Sequence, residues 1–304
     1  MRIHRSGVYK VGLTDEGCFQ MKYFTLGFIV SSLAYLLLTA ILGILFLTRS
    51  AFNYGLMVAT VHALLLGFAT MLVFGVNYHI IPIFSGRNFY SPGLAHLHLI
   101  MGNMGILGFV FPLTFSSYPV DITLLTKLSA IVFGLSILVF IYNMLRTFMS
   151  SASKEPPANP FGAGDKAADK MAIRFTGISI IYLLIGCPLG ILFLLRPDYI
   201  PYLRPVHVHI NLIGFISIMI FGVSYHMFPR FTGKPLYSVP LGRIQFWLAN
   251  IGLAGMVASW WRFERRSAVH QYSLLIFGAL EAVAAALYIY NCWKTLSNKT
   301  QKNH

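Results

Sequence analysis

Residues 62–82 read HALLLGFATMLVFGVNYHIIP, and residues 209–229 read HINLIGFISIMIFGVSYHMFP. The two strings share His, Gly-Phe, Phe-Gly-Val, Tyr-His and Pro at matching places, with a constant offset of 147 (209 − 62). Each is a predominantly apolar run of about 20 residues, the length that crosses a bilayer as helix. An ionisable side chain inside such a helix is costly and usually functional. Two copies of one helix, each with a histidine at the same depth, are what a bis-histidine haem requires, because the iron takes one imidazole on each face. The bland alternative is a pair of histidines that hydrogen-bond between helices.

The duplication extends outward from these strings. At the same offset Tyr35 matches Tyr182, Gly43 matches Gly190, Phe46 matches Phe193 and Arg49 matches Arg196. Downstream, Gly86 matches Gly233, Tyr90-Ser91 matches Tyr237-Ser238, and Asn103-x-Gly105 matches Asn250-x-Gly252. After one inserted residue, Ile141-Tyr142-Asn143 matches Ile289-Tyr290-Asn291. Apolar runs predict eight spans, at 23–48, 53–81, 93–116, 122–146, 173–195, 205–229, 241–261 and 271–293. The fold class is therefore an all-α integral membrane protein of two parallel four-helix repeats, residues 1–149 and 171–304. Residues 150–170, with Pro156-Pro157 and Pro160, form an exposed cytoplasmic linker. An even number of spans per repeat makes the copies parallel about an axis along the membrane normal.

Composition agrees. Of 304 residues, 57% are hydrophobic and only 11% charged, with mean hydropathy +0.69. A soluble domain of this size carries more charge. The net charge of +14 suggests nucleic acid until its distribution is read. With eight spans, one face receives only Arg49, Lys127, Arg196, Arg204, Arg262, Arg265 and Arg266; the other receives the remaining Lys and Arg. This positive-inside bias places both termini in the cytoplasm of a multi-pass cell (inner) membrane protein, with lipid and not nucleic acid as its surroundings. No cleaved signal peptide is evident before about Lys22. Cys18, Cys187 and Cys292 are isolated, and no Cys-x-x-Cys-His exists to attach a c-type haem covalently. The expected cofactor is accordingly haem b, one group with a second as an open alternative.

His62 and His209 are the expected iron ligands, near the non-cytoplasmic surface. Gly67 and Gly75, with Gly214 and Gly222, are expected to clear space for the flat ring. Arg49, Arg196, Arg204 and Arg262 lie on the correct side to meet its propionates.

The stretch Arg204-Pro205-Val206-His207-Val208-His209-Ile210-Asn211 through Phe221-Gly222-Val223-Ser224-Tyr225-His226-Met227-Phe228-Pro229-Arg230 resembles the tenth helix of haem–copper oxidase subunit I. Leu236-Tyr237-Ser238 to Asn250-Ile251-Gly252 resembles the following loop and helix, especially in the cbb3 type, and Val61-His62-Ala63 to Gly75 resembles the second helix. The likeness covers most of 53–82 and 203–256, and is closest to short subunit-I-like membrane proteins. It implies that His62 and His209 clasp a low-spin haem and that His207 holds a high-spin one. The sequence has no His-Pro-Glu-Val-Tyr and no His-His, the elements that hold copper in that family. No copper centre is expected, and oxygen reduction at a haem–copper pair is not carried over.

His207 lies about 200° around a regular helix from His209. Its alternatives are a second haem, or a hydrogen bond to a propionate or a neighbouring helix. His79 and His226 stand 17 residues beyond the candidate ligands, about 25 Å along a regular helix and about 100° away in rotation. With His96 and His98 they are candidates for a metal or quinone-head site; the favoured reading is interfacial histidines before Pro82 and Pro229. Glu281 lies within a span, opposite Phe133 or Gly134 of the first repeat. Gly102, Gly105 and Gly108 are read as close helix packing. Trp260-Trp261 is read as an interfacial anchor. The expected role is electron transfer in a respiratory chain, with quinol or a cytochrome as redox partner, in a homodimer or with other respiratory subunits. Alternatives are an enzyme acting on oxygen or nitric oxide at a haem on His207, a haem-based gas sensor or haem-handling protein, and, last, a transporter.

Overall fold

The computed structural model describes residues 8–11, 19–49, 51–116, 124–152, 166–262 and 267–297. A short antiparallel hairpin, β1 (Val8–Val11) and β2 (Phe19–Lys22), precedes the helices. Eight long helical rods follow: α1 (Tyr23–Thr48), α2 (Tyr54–Ile83), α3 (Pro92–Phe115), α4 (Leu124–Phe148), α5 (Lys166–Leu195), α6 (Pro197–Thr232), α7 (Val239–Arg262) and α8 (Ala268–Ser297). All except α7 are long and apolar enough to cross a membrane. α7 has the length but carries Arg243, Gln245, Asn250 and Ser259, which lower its hydropathy. Gln245 and Ser259 are buried, so polar groups on α7 turn toward protein. Large apolar side chains elsewhere face outward, Leu47 at 81% exposure and Trp261 at 76%, as expected of surfaces solvated by lipid.

The chain divides into two compact units, residues 1–160 and 161–304. Within each unit the same local chemistry sets the helix ends. Ser91 caps α3, its Oγ accepting from Leu94 N at 3.2 Å; Ser238 caps α7, accepting from Leu241 N at 3.2 Å. α2 and α6 both stop at a glycine in the left-handed region, Gly86 (φ 62°) and Gly233 (φ 63°), where a side chain would be strained. Beyond them Arg87 N donates to Pro82 O, and Lys234 N to Pro229 O.

Polar side chains then tie helices together at matching positions. In the first unit Asn143 of α4 bridges the backbone of Ser91, and Thr147 accepts from Tyr90 N. In the second, Asn291 bridges Ser238, and Thr295 accepts from Tyr237 N. Tyr35 on α1 donates to Asn103 Oδ1 on α3 at 3.1 Å; Tyr182 on α5 donates to Asn250 Oδ1 on α7 at 2.9 Å. A hydrogen bond is strong where no water competes, so these pairs fix helix order within each unit. Aromatic cores fill the space between: Phe24, Phe28, Phe74, Tyr78 and Phe140 in the first unit, Phe175, Tyr225 and Phe246 in the second.

Candidate haem-ligand histidines

His62 and His209 occupy the same local structure in their respective units. Each ends a stretch of α-helix and is followed at once by eight residues of π-helix, Ala63–Thr70 in α2 and Ile210–Ser217 in α6. π-Helical turns are rare, are usually single, and cluster at functional sites. Thr70 and Ser217 close these segments by donating to carbonyls five residues back, Leu65 O at 2.8 Å and Leu212 O at 2.9 Å. No residue pattern in these stretches marks the change in register. The 100° rotation expected between His62 and His79 assumed regular α-helix, so it does not hold across these segments.

Each histidine is fixed in one tautomer. His62 Nδ1 lies 2.8 Å from Val58 O, and His209 Nδ1 lies 2.8 Å from Pro205 O. A carbonyl only accepts, so Nδ1 carries the proton and Nε2 keeps its lone pair. Metal-ligating histidines are typically oriented by such a bond from the other ring nitrogen. His96 makes a similar bond to Pro92 O at 2.9 Å on the surface, so the bond alone does not mark a ligand. Both candidate rings are half-buried and rest on an aromatic partner within their own unit. His62 lies 5.0 Å from Phe109 on α3, and His209 lies 4.4 Å from Trp260 on α7. Trp260, expected as an interfacial anchor, is thus packed on the candidate ligand.

Other expected site residues fall elsewhere. Gly67 and Gly214 do face a flat ring, but it is tyrosine. A Cβ on Gly67 would lie 2.4 Å from the Tyr35 ring, and one on Gly214 would lie 2.6 Å from that of Tyr182. Gly75 and Gly222 face Phe28 and Phe175 in the same way. These gaps let α1 and α5 approach within each unit. Arg196 pairs with Asp198 through two bonds, at 3.0 and 2.8 Å, on an exposed loop. Arg49 and Arg204 are exposed, Arg262 ends α7, and Arg265 and Arg266 lie outside the described residues.

His207 points away from the His209 contact. Its Nδ1 lies 3.0 Å from Gly186 O on α5, and its ring packs on Phe193 and beside Gly190. This is the helix-tethering alternative. The remaining histidines have separate surroundings. His98 is buried, its Nδ1 bonded to the Tyr78 hydroxyl at 2.9 Å amid Phe28, Phe74 and Phe140. His96 is exposed. His226 Nδ1 donates to Asp169 Oδ1 at 2.7 Å, and Asp169 is also gripped by Arg230 at 2.7 and 2.8 Å. Among the described residues no three His, Cys, Asp or Glu side chains form a group able to hold a metal ion. The Asp169–His226–Arg230 cluster went unseen in the sequence, because Asp169 falls in the stretch read as linker.

The long apolar helices form an all-α membrane protein whose fold is that of a solved heme-copper oxidase chain. The match is borne by comparison with known proteins. Residues 164–296 match the family described as cytochrome c and quinol oxidase polypeptide I. A chain of a heme-copper terminal oxidase dimer, solved by cryo-EM, superposes with TM-score 0.68 at 13% identity, covering 92% of this chain and 57% of that one. The cbb3-type cytochrome c oxidase subunit CcoN1 of Stutzerimonas stutzeri is 36% identical over 56 residues, 18% of this chain and 12% of that protein. The cytochrome c oxidase subunit 1 homolog of Agrobacterium tumefaciens (strain T37) is 31% identical over 90 residues, 28% of this chain and 17% of that protein. The chain is thus similar to haem–copper oxidase subunit I in fold and in its second half. It spans just over half the length of the oxidase chain it superposes on, and its aligned segments cover under a fifth of the curated relatives.

Proposed function

We propose that this protein is a b-type haem protein of the cell membrane that carries electrons in a respiratory chain, with His62 and His209 as iron ligands. One observation supports this above the rest. Both histidines spend Nδ1–H on a carbonyl of the preceding turn and keep Nε2 basic, each directly before a π-helical segment. That donor set suits an iron porphyrin, which needs neutral imidazoles held in one tautomer. Haem, when bound, supplies reversible one-electron chemistry. The chain's own residues do the rest. Val58 and Pro205 carbonyls hold the ring orientation. Phe109 and Trp260 restrain the rings from the side and exclude water. Arg204 and Arg262 are the candidate propionate partners; Arg196 is less suited, since Asp198 already neutralises it.

His207 as the ligand of a second, reactive haem has less support, because the first unit has Thr60 in its place and no π-helical segment follows it directly. On this reading the termini are cytoplasmic, and the redox partners are quinol or a cytochrome, met as a homodimer or with other respiratory subunits. The test is the pyridine-haemochrome and low-spin spectrum of purified protein. His62→Ala and His209→Ala should each abolish the low-spin signal, whereas His96→Ala, with the same local bond, should keep it. Unchanged spectra in both of the first two variants would remove the proposal.

A further inference from the structure

Glu281 stands near the middle of α8, between Ala268 and Ser297. Its Oε1 is buried and has no hydrogen-bond partner among the described residues. The carboxyl lies against the backbone of α7: a Cβ on Gly252 would sit 3.0 Å from Oε1 and 3.0 Å from Phe277 O. The side chain therefore points into the unit, in a slot that exists only because residue 252 has no side chain.

Among the described residues the surroundings offer no counter-charge. The ion pairs among the described residues are Arg196–Asp198, His226–Asp169 and Arg230–Asp169, and none reaches Glu281. Tyr182 on α5 is the titratable group facing it, and the Tyr182 proton is given to Asn250 Oδ1 at 2.9 Å. The Asn250 amide donates in turn to Phe246 O at 2.7 Å. α7 contributes no charged group here, only Asn250, Gly252 and Leu253. An ionised carboxylate with one orphan oxygen and no cation is the costliest state this slot could hold. The neutral acid removes that cost.

The first unit shows what the fold alone demands at this point. Gly105, the partner of Gly252, meets Phe133: a Cβ there would lie 2.7 Å from Phe133 Cβ. This settles the register, with Phe133 and not Gly134 opposite Glu281. The Tyr35–Asn103 bond forms in the unit that has Phe133, just as Tyr182–Asn250 forms in the unit that has Glu281. Packing and the tyrosine–asparagine tie are thus complete with a hydrocarbon ring, and the carboxyl is surplus to both.

We propose that Glu281 is a proton-binding site inside the second unit, its carboxyl holding a proton at neutral pH and exchanging it with water at the membrane face. The step is one proton bound to or released from one carboxylate, with no electron or co-reactant. The proposal does not depend on haem. Infrared spectra of the purified protein in lipid nanodiscs should show a protonated-carboxyl C=O band at neutral pH that shifts down in D2O. The band should be lost in both Glu281→Gln and Glu281→Phe, the second copying the first unit. A measurement on unmutated protein guards against misfolded variants. With 13C-carboxyl glutamate the signal comes from Glu16, Glu155, Glu264 and Glu281 alone, and the first three lie between or before the long helices. An acid band that persists at pH 7 in the labelled protein supports the site. If all four labelled glutamates appear as carboxylates at pH 7, the proposal is overturned.

Discussion

The two units share a frame and differ in what they bury. The frame is geometric: serine caps, left-handed glycines, Tyr–Asn ties and the π-helical segments recur at matching positions. The buried chemistry diverges. Where the first unit has Thr60, Ile83 and Phe133, the second has His207, Arg230 and Glu281. Thr60 satisfies itself on Leu56 O of its own helix, whereas His207 reaches across to α5. Each replacement puts an ionisable group into the second unit, and residues 164–296 are also the part that matches the oxidase family. The lesson is that duplication preserved what fixes backbone position, and left side chains free wherever another group could fill the same volume.

The largest expected difference lies at Arg230. Its guanidinium is 8% exposed and grips Asp169 with two charge-assisted bonds, tying the start of α5 to the end of α6. Arg230→Ala leaves a poorly solvated carboxylate behind and should cost about 3–5 kcal/mol. The paired change Asp169→Leu, Arg230→Ile removes both charges together and should recover part of that loss. Thermal unfolding in detergent reads both, and a double variant as unstable as the single one would refute the ion-pair account.

A middling effect separates the two glycines that face α4 and α8. A methyl at Gly105 would press on Phe133 N at 2.8 Å and Phe133 Cα at 2.9 Å, which are backbone atoms that cannot swing aside. Overpacking of this kind costs about 1–3 kcal/mol. At Gly252 the nearest atoms are Glu281 Oε1 and Phe277 O, both at 3.0 Å, and the first belongs to a movable side chain. Gly105→Ala should therefore lower the unfolding midpoint more than Gly252→Ala, and the reverse order would break the assignment of Phe133 as the rigid counterpart.

How much of this was legible depends on whether a feature is local. The repeat, the boundaries of most helices and the terminating glycines follow from periodicity and from residues next to one another. His62 and His209 stood out because an ionisable group in an apolar run is conspicuous. The π-helical segments left no trace, since a change in hydrogen-bond register needs no particular residue. Asp169 and Arg230 are 61 positions apart, and α5 begins at Lys166, well before the apolar run expected at 173. Gly67 and Gly214 announced a close neighbour but not its identity. Whether a tyrosine or a porphyrin fills such a gap is decided by the helix across from it.

The smallest expected effect tests the claim that different residues can fill one role. In the first unit the Tyr78 hydroxyl bonds His98 Nδ1 at 2.9 Å; in the second, the Tyr225 hydroxyl donates to Gln245 Oε1 at 3.0 Å. His98 and Gln245 are both fully buried, and each leaves its Nε2 without a hydrogen-bond partner. Each thus offers the tyrosine one acceptor and keeps one nitrogen idle. His98→Gln should cost less than about 1 kcal/mol, because the tyrosine keeps its bond. His98→Leu removes that acceptor from a buried hydroxyl, at about 1–3 kcal/mol. Unfolding midpoints of the two variants decide the matter. Were glutamine as damaging as leucine, the imidazole would be doing something its counterpart in the second unit cannot, and the two positions would no longer be equivalent.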